Sequence, residues 1–183
     1  MTFNDHRKLA GAHAMLGASN YHWLNYSDEK LEQRWESLQA IERGTKLHEY
    51  ARMAIELGII QAKNGQTLNR YINDAIGYRM IPEQVLYYSD NCFGTADSIS
   101  FKDELLRIHD LKTGETPAKM DQLRIYASLF CLEYGIKPGE IKIELRIYQS
   151  GEVFKEKPEP EDILPIMDKI ERFDKILSRL NSK

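Results

Sequence analysis

The sequence predicts an α/β fold: a central mixed β-sheet flanked by helices, with a helical N-terminal region and a helix at the C-terminal end. Three observations carry this. Apolar residues recur at helical spacing through the first 80 residues. From residue 83 the period changes to the two-residue alternation of strands. One strong helical pattern, AKMDQLRIYASLFCLEYG, then separates the third strand from the fourth.

Taken in order, residues 26–38 read as a short helix opened by Ser27 or Asp28. A second helix is expected after Gly44, with Thr45 as its N-cap. It runs through LHEYARMAIELGIIQA, where Leu47, Ala51, Ala54, Ile55 and Ile59 form an apolar stripe, and it ends at Asn64–Gly65. Residues 68–76 suit another short helix. Strands are expected at 83–88, 94–101 and 105–112, the last two joined by the polar Lys102, Asp103 and Glu104. The helix after Pro117 puts Leu123, Tyr126, Ala127 and Phe130 on one face and stops at Gly135. Residues 141–148 alternate apolar and polar as a fourth strand, which 152–154 extend after a turn at Gly151. KEKPEPED reads as a linker. Residues 163–180 form a last helix, with Ile163, Met167, Ile170, Phe173 and Leu177 facing the domain or a partner. One domain is expected over 1–183: a helical region over 1–80, the sheet and its helix over 83–155, and the C-terminal helix over 160–181.

With 183 residues, a chain can bury roughly 70% of the surface its unfolded form exposes, so no metal or disulfide is needed for folding. No apolar run approaches a membrane span, and the N-terminus lacks a signal-peptide block. Cys92 and Cys131 suit a reducing cytoplasm and are too few for a four-cysteine zinc or iron–sulfur site. The net charge of −3 gives no basic signature of nucleic-acid binding, so any basic surface must be local.

The chemistry concentrates in the hairpin around Asp103–Glu104. A register symmetric about that pair sets Phe101 against Leu106, Ile99 against Ile108, and Asp97 against Asp110. Strand alternation then places Phe101, Ile99, Leu106 and Ile108 in one apolar patch, with both aspartates at its end and Lys112 on the same side, opposite Thr95. Two adjacent carboxylates beside apolar residues repel each other unless one is protonated, both reach water, or a divalent cation lies between them. Carboxylate oxygens suit Mg²⁺ or Mn²⁺. Such a cation can polarise a phosphoryl oxygen and acidify an attacking water, beside which a lysine can stabilise developing charge.

GTAD at 94–97, DLKTG at 110–114 and QLRIYA at 122–127 resemble the Gly-x-x-Asp, (Asp/Glu)-x-Lys and Gln-x-x-x-Tyr elements of the RecB-like branch of the PD-(D/E)XK nucleases. GTKLH at 44–48 is similar to that branch's upstream Gly-x-x-x-His, and ASNYHWLNYS at 18–27 to the N-terminal part of its phage-associated members. The resemblance implies the PD-(D/E)XK nuclease fold and a metal-dependent DNA nuclease acting in recombination, repair or phage DNA processing. By position it implies that Asp97 and Asp110 are acidic metal ligands, Lys112 is the catalytic lysine, and His48 and the Leu111 carbonyl complete the Mg²⁺ or Mn²⁺ site. Gln122 and Tyr126, four apart on one helical face, would support the site or touch DNA. His48 in the first turn of its helix would feel the positive end of the dipole, which keeps imidazole neutral. Glu83 is held as a metal-assisting residue. His6, His13, His22 and His109 have no such context and read as ordinary histidines.

Many relatives in this branch hold an iron–sulfur cluster on four cysteines; this chain lacks those cysteines, so no cluster is expected. Lys46 and Arg52 flank His48, and Lys102, Lys119 and Arg124 lie near the motifs; Lys46 and Arg124 among them are the expected DNA contacts. An exonuclease is favoured over a sequence-specific endonuclease, because no second domain for base reading is recognisable. The expected partners are DNA, a recombination or helicase protein and further copies of the chain, with no membrane; the expected location is the cytoplasm of a bacterial or phage-infected cell. The rival reading is a non-catalytic protein of the same fold that binds DNA or a recombination partner.

Overall fold

The computed structural model describes residue 5, residues 7–9 and residues 12–181. His6 lies outside them. Two compact units divide at Arg43 and Gly44.

The first unit carries 3-10 turns at Arg7–Leu9 and Tyr21–Asn25 and the start of helix α1 (Asp28–Glu56). Ser27 caps that helix: its Oγ accepts the Lys30 N–H at 3.3 Å. Trp23 Nε1 donates to the Gly17 carbonyl at 3.0 Å and closes the turn before it.

Where the sequence predicts two helices separated at Gly44, α1 is continuous. Glycine costs a helix about 1 kcal/mol relative to alanine, but Gly44 is buried, and a Cβ there would stand 2.9 Å from Thr113 Oγ1. The residue marks a close approach, not a break. The helix also stops earlier than expected. Gly58 adopts φ +66°, with its N–H on the Ile55 carbonyl at 3.1 Å and the Ile59 N–H on the Ala54 carbonyl at 2.8 Å. That pair of bonds is a Schellman stop. Ala51, Ala54 and Ile55 of the predicted stripe are buried, whereas Leu47 and Ile59 are exposed.

The second unit is a five-stranded mixed sheet in the order β1-β2-β3-β4-β5. Its strands are β1 (Ile81–Ser89), β2 (Cys92–Lys102), β3 (Leu105–Lys112), β4 (Lys142–Gln149) and β5 (Glu152–Glu156). β3 and β4 run parallel, joined through α3 (Asp121–Tyr134); the other neighbours are antiparallel. α2 (Thr67–Gly77) precedes the sheet and α4 (Pro160–Asn181) follows it. Much of the expected linker therefore belongs to β5 and to the first turn of α4.

Strand alternation sorts two cores onto the two faces. On one face Ile99, Leu106, Ile108, Ile143, Leu145 and Ile147 pack against Leu123, Ala127 and Phe130 of α3 and Ile163 of α4. Phe173 and Leu177, further along α4, are exposed. On the other face Leu111, Tyr148 and Met80 pack against α2 and the C-terminal half of α1. His109, expected to be ordinary, is fully buried on this second face between Tyr78 and Tyr148. Burial, then the charges of Arg146 and Arg107, push its pKa down to about 3, so it is neutral. Among the described residues no helix is long and apolar enough to cross a membrane.

Candidate metal centre

The hairpin register is the one read from the sequence: Phe101 pairs with Leu106, Ile99 with Ile108 and Ser98 with His109. Pairing ends there. Asp97 and Asp110 stand one step beyond the last pair, and Thr95 pairs with Val85 on β1 rather than facing Lys112 across a ladder.

Strict alternation fails at Asp97, for a reason visible on β1. The β1–β2 ladder pairs Pro82 with Ser98 and Gln84 with Ala96, and skips Glu83 and Asp97 between them. Ala96 and Ile99 both enter the α3-side core although they differ by three positions. Glu83 and Asp97 thus form one unpaired level within an unshifted register, and Glu83 adopts φ +51°. A left-handed backbone at a non-glycine residue costs energy and concentrates at functional sites. Here it frees Glu83 and Asp97 from the ladder and re-aims both.

They meet His48 of α1. Ligand atoms of His48, Glu83 and Asp97 all lie within 4.8 Å of one another. His48 Nδ1 stands 3.5 Å from Asp97 Oδ2. His48 lies well inside α1 and not in its first turn, so the helix-dipole reasoning does not apply to it. The other oxygen contact of Asp97 is local: the Leu111 N–H donates to Asp97 Oδ2 at 2.8 Å, replacing a ladder bond where β2 and β3 diverge. Leu111 therefore touches the centre through its N–H, while its side chain is buried in the second core.

Asp110 is only 2% exposed, on the opposite side of Leu111 from that core. Lys112 Nζ donates to Asp110 Oδ1 at 3.0 Å and to Gln122 Oε1 at 2.8 Å. Asp110 Oδ2 lies 2.9 Å from the same ammonium yet has no aligned hydrogen-bond donor. The close distance is an ion pair; the missing alignment leaves a buried lone pair unsatisfied, which is costly in a finished fold. Gln122 Nε2 donates in turn to Tyr126 Oη at 3.0 Å. The ring of Tyr126 lies over Gly94, where a Cβ would meet its Cε1 at 2.9 Å. The glycine of the GTAD segment thus makes room for the tyrosine that ends the chain Lys112–Gln122–Tyr126.

Burial, then the charge of Asp110, raises the Asp97 pKa from 3.8 to about 6, against the pull of His48 and the Leu111 N–H. Burial also raises the Tyr126 hydroxyl. Two carboxylates and one imidazole are thus gathered, with Asp97 held above its usual range, beside the buried Asp110–Lys112 pair in which one oxygen lacks a donor. Hard oxygen donors in the majority suit Mg²⁺ or Mn²⁺, and the imidazole nitrogen favours the transition metal of the two. The residues fit such a cation.

Two other expected residues stand apart from the cluster. Arg124 forks onto Glu156 at 2.7 and 3.0 Å, with Asp121 at 3.7 Å, and is held to β5. Lys46 is exposed on α1 two residues before His48, a spacing that puts the two on different helix faces. Glu83, read from sequence as an assisting residue, is a full member of the cluster. The signal for it is the left-handed backbone, which no residue pattern announces. No family model matches the chain, and comparison with curated proteins and with solved structures likewise gives no match.

Proposed function

We propose that the chain is a Mg²⁺- or Mn²⁺-dependent DNA nuclease of the RecB-like PD-(D/E)XK type, hydrolysing phosphodiester bonds. The observation that carries the proposal is the meeting of His48, Glu83 and Asp97 beside a buried Asp110–Lys112 pair. The element order supports it: a helix bearing the histidine, three antiparallel strands bearing the acids and the lysine, a helix bearing Gln122 and Tyr126, and a parallel fourth strand.

A bound cation of this class supplies Lewis acidity toward a phosphoryl oxygen and a lowered pKa for water. The chain supplies the rest. Asp97 is oriented by a main-chain N–H that cannot rotate away. Lys112 presents an ammonium fixed by two acceptors, Asp110 and Gln122, so a phosphate oxygen arriving there meets a preorganised positive charge. Tyr126 holds the Gln122 amide and thereby the direction of the lysine.

The test is digestion of labelled linear DNA, single- and double-stranded, in Mn²⁺ and in Mg²⁺. The wild type is expected to cut; Asp110→Ala and Lys112→Ala are expected to lose about 10²–10³-fold, the scale for removing one electrostatic contact to a transition state. A wild type inert on both substrates in both metals, with Asp110→Ala binding metal as tightly as wild type, overturns the proposal. DNA retardation in gels with no metal-stimulated cutting would favour a binding protein instead.

A further inference from the structure

Next to Lys112 lies a cavity of about 230 Å³ that the reading above does not use. Leu47, Leu68 and Leu111 form its apolar wall; Thr67, Thr113 and Ser150 bring hydroxyls to it; Lys112 and Glu115 stand at its charged side. It is joined to the metal centre by chain geometry. Leu47 adjoins His48, Leu111 supplies the N–H that holds Asp97, and Lys112 belongs to both places.

We propose that this cavity receives the nucleobase of the nucleotide adjoining the attacked phosphate, which makes an unpaired DNA strand the substrate; the inference rests on the nuclease reading. Within one nucleotide of a phosphate held at Lys112 lie a sugar, a base and the next phosphate. A leucine wall suits the flat apolar face of a base and offers nothing to a second phosphate. The volume falls below the ~300–1,000 Å³ of pockets for drug-sized ligands, so it suits one base and excludes a stacked pair. The hydroxyls read base edges without strong choice, since serine and threonine serve donors and acceptors alike. Thr67 Oγ1 already accepts the Gly151 N–H at 2.6 Å and keeps its O–H for a ligand. Glu115 can accept from an exocyclic amine. A paired base reaches such a pocket only after unstacking, which costs a few kcal/mol and is least for a strand already single.

The experiment measures binding of a short fluorescein-labelled oligonucleotide to the full chain in calcium, as a single strand, as a blunt duplex, and with one abasic position moved along the strand. Tighter binding of the single strand is expected, and an abasic nucleotide at one position, the one that would seat its base in the cavity, should weaken it more than at any other. Leu68→Trp and Leu47→Trp fill the cavity; each should weaken the intact strand and leave the abasic strand unaffected. Leu47 is exposed, so its variant keeps the fold even where Leu68→Trp does not. Equal binding of abasic and intact strands at every position overturns the proposal, as do tryptophan variants that weaken both strands alike. Cleavage of the same strands in Mn²⁺ separates the two readings. If nothing is cut while the abasic difference persists, the nuclease reading falls and the base pocket stands.

Discussion

Asp97→Asn should make the metal-free protein more stable above neutral pH. The side chain is 16% exposed, and its pKa is raised from 3.8 to about 6, chiefly by burial and then by Asp110. The folded state therefore keeps a proton that the unfolded chain has already lost. Across the window between those two values the folded state binds more protons, so stability falls as pH rises through it and stays low above it. That rise corresponds to at most about 3 kcal/mol. Asparagine removes the charge and keeps an oxygen for the Leu111 N–H, 2.8 Å from Asp97 Oδ2. Urea denaturation in EDTA should thus show Asp97→Asn more stable than wild type by about 1–3 kcal/mol near pH 8, with the gap closing near pH 4. Added Mn²⁺ should reverse the order, because only the wild type gains binding free energy from the ion. A variant that is less stable near pH 8, or a gap that does not change with pH, refutes the reasoning.

Three further outcomes follow from the geometry. His48→Ala should weaken Mn²⁺ binding about tenfold or more, and Mg²⁺ binding less, because it removes the only nitrogen donor of the cluster; equal loss for both metals in calorimetry would count against His48 as a ligand. Gly94→Ala should cost about 1–3 kcal/mol, since the new methyl would lie 2.9 Å from the Tyr126 ring, and the cost should shrink in a Tyr126→Ala background when the two are compared in a double-mutant cycle. Asp74→Ala should destabilise by about 1–3 kcal/mol in thermal or urea unfolding, because it strips the acceptor from the buried Tyr148 hydroxyl at 2.7 Å and one carboxylate from Arg146 at 3.4 Å.

What the sequence made legible was local. The matched apolar pairs Phe101–Leu106 and Ile99–Ile108 specify one register, since a one-residue slip would turn them outward, and the ladder has that register. The helix bearing Leu123 and Ala127 was equally plain, with Gly135 at φ +64° as its stop. Two things were not legible. Gly44 resembles a helix boundary in one dimension, and only the nearness of Thr113 shows why it is tolerated inside a helix. The unpaired level at Glu83 and Asp97 leaves the numbering of the β1–β2 register unchanged on either side, so no count of residues betrays it. The candidate site was therefore found through Asp97, Asp110, Lys112 and His48, while the place of Glu83 depended on a dihedral angle.

The two acids of the centre and Asp110 beside it meet the cost of their neighbourhood in three different ways, and this is what ties the fold to the proposed chemistry. Asp110, nearly sealed from solvent, is neutralised by Lys112 but keeps one oxygen without a donor. Asp97, half-buried, leans on a main-chain N–H and takes up a proton more readily than an ordinary aspartate. Glu83, exposed, relies on water and on a strained backbone that points it inward. A stability-driven sequence would put an amide at Asp97 and replace the Asp110–Lys112 pair as a whole by apolar side chains at little structural loss. Surface acids need no left-handed backbone, and structural ion pairs need no orphaned oxygen. A divalent cation held by His48, Glu83 and Asp97, as the proposed function requires, would balance the charge at Asp97 and reward the strain at Glu83, beside the buried Asp110–Lys112 pair.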